Sequence, residues 1–236
     1  MTPSGEPLVV LWEDPHGLAV AKPAGLLTQR SGRGDGEDSL EDRVRRHLNH
    51  EDPASCYVGT VHRLDRPVSG VVLWAKTPKA ARRWAGQFAE RRAVKEYWAI
   101  VARADEASPL LPPSGTWRNR IGRPGASGRA PIFEVGADVP DSSLASTRFE
   151  IVAGPVHPPG TARIKLWPET GRTHQLRAQA AARGWPIVGD ATYGSMRAFL
   201  SGIALHARSL EVEHPASRAS LRFEAPLPRS LIGWDG

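Results

Sequence analysis

Cysteine occurs once, at Cys56, in a chain of 236 residues. A single thiol cannot close an intrachain disulfide or supply the Cys pairs of a structural zinc site. Lysine is scarce too: Lys22, Lys76, Lys79, Lys95 and Lys165 are the only five among 31 basic residues. Long apolar runs are missing. The opening MTPSGEPLVVLWEDP holds a run far too short for a signal or membrane segment. The expected setting is therefore reducing and cytoplasmic, with no membrane partner. There is no Walker loop, GxGxxG element or GxSxG elbow. Nucleotide hydrolysis and the hydrolase elbow lose support accordingly. His62, His174 and His206 lack i,i+4 pairing or an acidic companion at metal spacing, so no metal is expected.

What is present is arginine. The net charge is +6, the pI about 10.0, and guanidinium outweighs ammonium. Guanidinium suits bidentate phosphate contacts and base stacking. Biased codon usage would also enrich arginine, but a basic globular chain of this balance points first to a nucleic-acid partner. An apolar fraction of 40% supports a real core and argues against global disorder.

Hydrophobic patterning predicts many short strands. Leu8 to Trp12 and Leu18 to Lys22 are joined at the turn Asp14-Pro15-His16-Gly17. Tyr57 to Val61, Val71 to Lys76, Lys95 to Ala102, Thr147 to Ala153 and Thr161 to Trp167 follow, and Ile203 to Glu213 with Ala219 to Ala225 read as a closing antiparallel pair. Ser39 with Asp42 resembles a capping box ahead of Leu40, Val44 and Leu48. Thr77-Pro78 opens a second helix whose expected buried stripe is Ala81, Trp84, Ala85 and Phe88. Thr173 to Arg183 reads as a third helix, stopped by Gly184. The stretch from about 104 to 145 breaks the rhythm with six prolines, five glycines and Arg118, Arg120, Arg123 and Arg129. It reads as a basic Gly/Pro-rich loop insert. The expectation is one α+β domain over residues 1–236, with a mixed, largely antiparallel sheet and flanking helices.

Two segments carry candidate chemistry. HRLDRPVSG, His62 to Gly70, sets Asp65 between Arg63 and Arg66, just before the apolar VVLWAK. Neighbouring positive charge favours the ionised carboxylate, able to act as nucleophile or base where phosphate is attracted. An exposed Arg-Asp-Arg salt bridge of little worth is the plain alternative. The second segment is GRTHQLRAQAAARGWPIVGDATYG, Gly171 to Gly194. Arg172 and His174 fall at a strand-to-helix junction, where backbone N–H groups favour anions. Leu176 should face the core and Arg177 its edge, where a half-buried guanidinium needs a carboxylate. Asp65 is the natural partner, and a surface pair with some glutamate is equally open. Tyr97 in KEYWAIV could pack with a satisfied hydroxyl, or stack on a nucleobase.

Together with LAVAKPAGLLTQ, QFAERRAVKEYWAIV and IALHARSLEVEHP, these segments resemble the RluA-type pseudouridine synthases, from about Leu8 to Pro226. The resemblance implies a sheet with helices and loops around a central cleft, isomerisation of uridine to pseudouridine in structured RNA (ribosomal or transfer), and no cofactor. It implies that Asp65 is the catalytic aspartate, Tyr97 the tyrosine packed on the target base, and Arg177 the basic partner that keeps the aspartate ionised. Arg63 matches the arginine that fills the space of a flipped uridine, and Leu176 lines the pocket. His62, Arg172 and His174 are further candidates for substrate binding. Val68 stands where Thr or Ala is usual, and Gln179 where the family often has His, which could alter a local hydrogen bond. No extra N-terminal RNA-binding domain is seen, so the synthase domain is expected to bind RNA largely alone, as a monomer without an obligate protein partner. A catalytically inactive RNA-binding protein on the same fold is the alternative. A glycosidic hydrolase using Asp65 would need a second carboxylate, and Asp190 is the motif-borne candidate.

Overall fold

A computed structural model of the chain describes residues 7–30, 37–152 and 158–233. In chain order the strands are β1 (Val9–Glu13), β2 (Gly17–Lys22), β3 (Gly59–Thr60), β4 (Ser69–Ala75), β5 (Val94–Ala102), β6 (Ser114–Ile121), β7 (Ile132–Phe133), β8 (Ser143–Ile151), β9 (Thr161–Pro168), β10 (Leu205–Glu213) and β11 (Ser220–Glu224). The helices are α1 (Leu40–Leu48), α2 (Pro78–Ala89), α3 (Gln175–Ala181) and the short α4 (Arg229–Ile232). The chain forms two compact units, residues 1–94 with 207–226, and 95–206 with 227–236.

In the first unit the strand order is β1-β2-β4-β10, with β11 on β10 and β3 on β4. β1 pairs with β2, β2 with β4, and β10 with β11, all antiparallel. β4 has six buried residues in seven, which a strand covered on both faces requires. Gly70 within it has φ +123, and a Cβ there would lie 2.2 Å from the Ala207 carbonyl oxygen. Only glycine lets the β10 backbone approach that closely. Ser39 caps α1, its hydroxyl accepting from the Asp42 amide, and Thr77 caps α2 by accepting from Ala80.

The buried face of α2 departs from the expected stripe. Ala80, Trp84 and Gln87 are buried, while Ala85 is exposed. Gln87 turns inward because β10 gives it full satisfaction: its amide donates to the Glu213 carbonyl at 2.9 Å and accepts from the Glu213 amide at 2.8 Å. The Trp84 indole donates to the same carbonyl at 3.0 Å. A buried amide with both partners costs little.

In the second unit the order is β5-β9-β8-β6-β7, and each of these pairings is antiparallel. Part of the stretch read as a loop insert is strand. β6 pairs with β8 along its whole length. Trp117, Asn119 and Ile121 point inward and Arg118 is exposed, a period-two pattern hidden among prolines and glycines. The third helix is shorter than expected at both ends, running Gln175–Ala181. His174, in left-handed backbone with φ 57 and ψ 20, turns the chain just before it.

Candidate active site

Of the residues singled out in the sequence, His62, Arg63 and Asp65 lie in the first unit, and Tyr97, Arg172, His174, Leu176 and Arg177 in the second.

Asp65 opens a tight turn closed by Val68 N donating to Asp65 O at 3.0 Å. The chain on both sides of it is held by a distant segment, Lys22 to Thr28. The Thr28 hydroxyl donates to Leu64 O at 2.7 Å and accepts from Leu64 N at 3.2 Å. On the other side, Arg66 O accepts from Gly25 N at 2.8 Å and from Lys22 Nζ at 3.1 Å. Gly25 has φ 84, the left-handed conformation that the Pro-Ala-Gly turn needs and that a side chain would strain. Asp65 itself is half-buried, between the exposed side chains of Arg63 and Arg66. The Arg66 guanidinium does not stay free beside it: Nε donates to Gly25 O at 3.0 Å, and the head group pairs with Glu37.

Lys22 was not among the expected site residues, yet it is only 2% exposed. Its ammonium donates to the carbonyls of Pro23 at 3.0 Å, Leu26 at 2.7 Å and Arg66 at 3.1 Å, using all three N–H bonds. Burial pushes it down to about 7, with the Asp65 charge pulling the other way and Arg66 adding to the fall.

His62 is placed by packing. Its Nε2 accepts from the Leu73 amide at 2.9 Å, and its ring stacks on Phe88 with centroids 4.8 Å apart.

In the second unit, Tyr97 is half-buried on β5 opposite Leu166 of β9. Lys95 shares its face by strand alternation. Lys95 Nζ donates to Thr170 O at 3.2 Å, and burial pushes its ammonium down to about 8. Thr170 opens the loop that carries Arg172 and His174. One fully buried amide organises that loop. Gln175 Oε1 accepts from Thr170 Oγ1 at 2.6 Å and from Arg172 N at 3.0 Å, while its Nε2 donates to Ser146 O at 3.0 Å and Thr147 Oγ1 at 2.9 Å. The Arg172 amide at this junction, expected to favour an anion, is taken by the Gln175 side chain. The Arg172 side chain is exposed and reaches Leu144 O at 3.2 Å.

Arg177 is 5% exposed and finds a carboxylate in Asp190, itself 1% exposed. The pair is bidentate, Nε to Oδ2 at 2.6 Å and Nη2 to Oδ1 at 2.9 Å. The guanidinium also lies over the Tyr193 ring, 5.0 Å from its centroid. His174 Nδ1 is 3.1 Å from the Tyr193 hydroxyl, which accepts from Ala130 N at 2.7 Å. Leu176 is buried, at 7% exposure. Gln179 is fully buried: its Oε1 accepts from Thr147 Oγ1 at 2.7 Å and its Nε2 donates to Trp117 O at 3.1 Å.

Among the described residues, Asp14, His16 and His214 are grouped closely enough to hold a metal ion, with ligand atoms within 4.8 Å of one another. Asp14 and His214 already have partners. Asp14 accepts from His16 N at 2.7 Å and Gly17 N at 2.8 Å, and lies 2.8 Å from His214 Nε2; His214 Nδ1 faces the Ser217 amide at 3.0 Å. Burial alone would raise the Asp14 carboxyl, but the hydrogen bonds from His214, His16 and Gly17 outweigh it and hold it below the ordinary carboxylate value. The trio reads as a lock between two turns.

A model of the RNA pseudouridylate synthase family matches residues 16–182. The chain is 37% identical, over 95% of its own length and 95% of the relative's, to the dual-specificity RNA pseudouridine synthase RluA of an Escherichia coli strain. The RluA of Pasteurella multocida is 35% identical over 95% of this chain and 96% of its own. Among solved structures, human RNA pseudouridylate synthase domain containing 1 superposes with a TM-score of 0.73 at 26% identity, covering 98% of this chain and 89% of that one. No helix among the described residues is long and apolar enough to cross a membrane.

Proposed function

Since the chain belongs to the RNA pseudouridylate synthase family and is an RNA pseudouridine synthase of RluA type, we propose that Asp65 is its reacting carboxylate and that structured ribosomal or transfer RNA is its substrate. The reaction breaks the bond between C1′ and N1 of uridine, turns the uracil, and joins C5 to C1′. The C5 proton is lost and N1 gains one, so no oxidant, reductant or added group is required. An anionic aspartate can start this by attack or by taking a proton.

The observation that supports the assignment most is the fastening of the Asp65 turn. Leu64 is held at both backbone groups by Thr28, and Arg66 O by Gly25 and Lys22. A reacting group must keep its position to within a fraction of an ångström, and backbone held on both sides of it does that. Tyr97, half-buried on β5, is the residue to pack on the base. Arg177 is the residue to keep Asp65 ionised, and Leu176 lines the pocket. Arg63, exposed two residues before Asp65, is the side chain to fill the gap left by a flipped uridine, offsetting an unstacking cost of a few kcal/mol. His62, Arg172 and His174 support substrate binding, His62 through the packing of the turn. The hydrolase alternative loses its acid, because Asp190 is buried against Arg177.

Asp65→Asn tests the assignment. The amide keeps the shape and loses the charge. Tritium release from RNA labelled at uridine C5 should vanish, while binding of the same RNA stays within a few-fold of wild type. Turnover near wild type would show that another group reacts.

A further inference from the structure

The first unit holds an open cavity of about 220 Å³ that none of the candidate site residues lines. One wall is the α2 face carrying Arg82, Arg83 and Glu90; the other is the turn between β10 and β11, with His214 and Arg218, and Arg92 lies at the rim. Four guanidiniums face two carboxylates, Glu90 and Glu213. Arg92 donates to Glu90 at 2.8 Å and to Glu213 at 2.9 Å, and Arg218 donates to the other Glu213 oxygen at 3.1 Å. Arg83 donates to Pro215 O. Arg82 is exposed and makes no hydrogen bond or ion pair with the described residues. Each guanidinium has five N–H groups, so most of the donors remain for a ligand rich in acceptors.

The walls are fixed to each other. Gln87 and Trp84 bind the Glu213 backbone, and His214 is tied to Asp14. The site therefore keeps its shape without a ligand, which lowers the entropic cost of binding. Small-molecule sites run from roughly 300 Å³ upward and are mostly apolar. A smaller, charged recess suits a single anionic group.

We propose that this recess holds a backbone phosphodiester of the RNA substrate, away from the target uridine. The inference rests on the RNA reading above. It adds a contact that positions the RNA without reading its sequence.

The test is the salt dependence of binding to unfractionated tRNA, with Arg82→Gln/Arg218→Gln against wild type. Each phosphate contact contributes roughly 0.9 to the slope of log K on log salt. The double variant should flatten the slope by about one, and Arg82→Lys/Arg218→Lys should largely restore it. Arg46→Gln/Arg222→Gln removes the same charge from exposed positions elsewhere and should leave the slope at its wild-type value. A wild-type slope in Arg82→Gln/Arg218→Gln, or equal flattening in the control pair, overturns the proposal. If wild type binds tRNA weakly and without salt dependence, the RNA reading of substrate fails, and this proposal with it. Thermal melting of each variant separates loss of contact from loss of fold.

Discussion

Asparagine at position 190 would keep the outline of the buried Arg177–Asp190 pair and remove its charge. The wild-type pair is bidentate, at 2.6 and 2.9 Å, with both side chains under a tenth exposed. An amide offers one acceptor and turns an N–H group toward the guanidinium, so one of the two bonds is lost and a donor faces a donor. Removing one partner of a buried pair costs about 3–5 kcal/mol, mostly from the charge left behind. For a chain of this size each kcal/mol lowers Tm by roughly 2–4 °C, which puts the fall at roughly 6–20 °C. Replacing both partners by apolar residues, Arg177→Met with Asp190→Leu, should recover most of that loss, since well-packed apolar substitutes for a buried pair are often neutral or better. Turnover separates the two roles of Arg177. The double variant, though stable, should stay inactive if Arg177 keeps Asp65 ionised. Denaturant titrations and tritium release on the three proteins give both readouts. A cost below about 1 kcal/mol for Asp190→Asn would refute the reasoning, because a dry bidentate pair cannot be broken so cheaply.

Stability should rise with pH in the alkaline range. Lys22 at about 7 and Lys95 at about 8 lie below the ordinary value of 10.5, so between those values and 10.5 the unfolded chain binds protons that the folded chain does not. Their contribution is a rise in unfolding free energy across that window and no slope below about 7; Lys95→Met should reduce the rise seen in urea titrations, and an unchanged slope would refute its part. Arg63→Ala should slow a folded stem-loop more than a short flexible strand carrying the same uridine, because only the stem-loop has a stack to fill; equal losses would rule out the gap-filling role. Arg118→Ala/Arg123→Ala/Arg129→Ala, all at exposed positions, should flatten the salt slope of RNA binding, and an unchanged slope would mean that face never meets RNA. Arg120 is left out because its guanidinium is committed to Ser142, at 2.8 Å and 3.0 Å.

How far the sequence could be read depended on whether a residue's role followed a period. Strands β2, β4, β5 and β9 were legible because apolar runs and alternation mark them. The caps of α1 and α2 were legible because Ser39 and Thr77 act locally. β6 was hidden: its inward positions include Asn119, satisfied by Arg183 at 3.0 Å, and its flanks carry the turn residues that usually mean loop. Gln87 fell outside the expected stripe of α2 for the same reason, being polar and buried through long-range bonds to β10. Arg177 visibly needed a carboxylate, yet Asp190 is reached across a loop whose path no periodicity reports.

Lys22 and Gln175 show why the motif loops contain residues that react with nothing. Glycine- and proline-rich loops lack ladder hydrogen bonds, so their carbonyls and amides must find other partners or face water. Lys22 gathers three carbonyls with one ammonium, and Gln175 binds two backbone groups and two hydroxyls with one amide. Each uses a whole side chain's donors or acceptors to fix backbone next to a candidate reacting residue: Lys22 beside Asp65, Gln175 two positions from Arg177. Such a residue must be long, polar and buried at once, a combination costly anywhere else. In these two motifs the holding is done by buried polar side chains, which leaves Asp65, the proposed reacting carboxylate, half-buried.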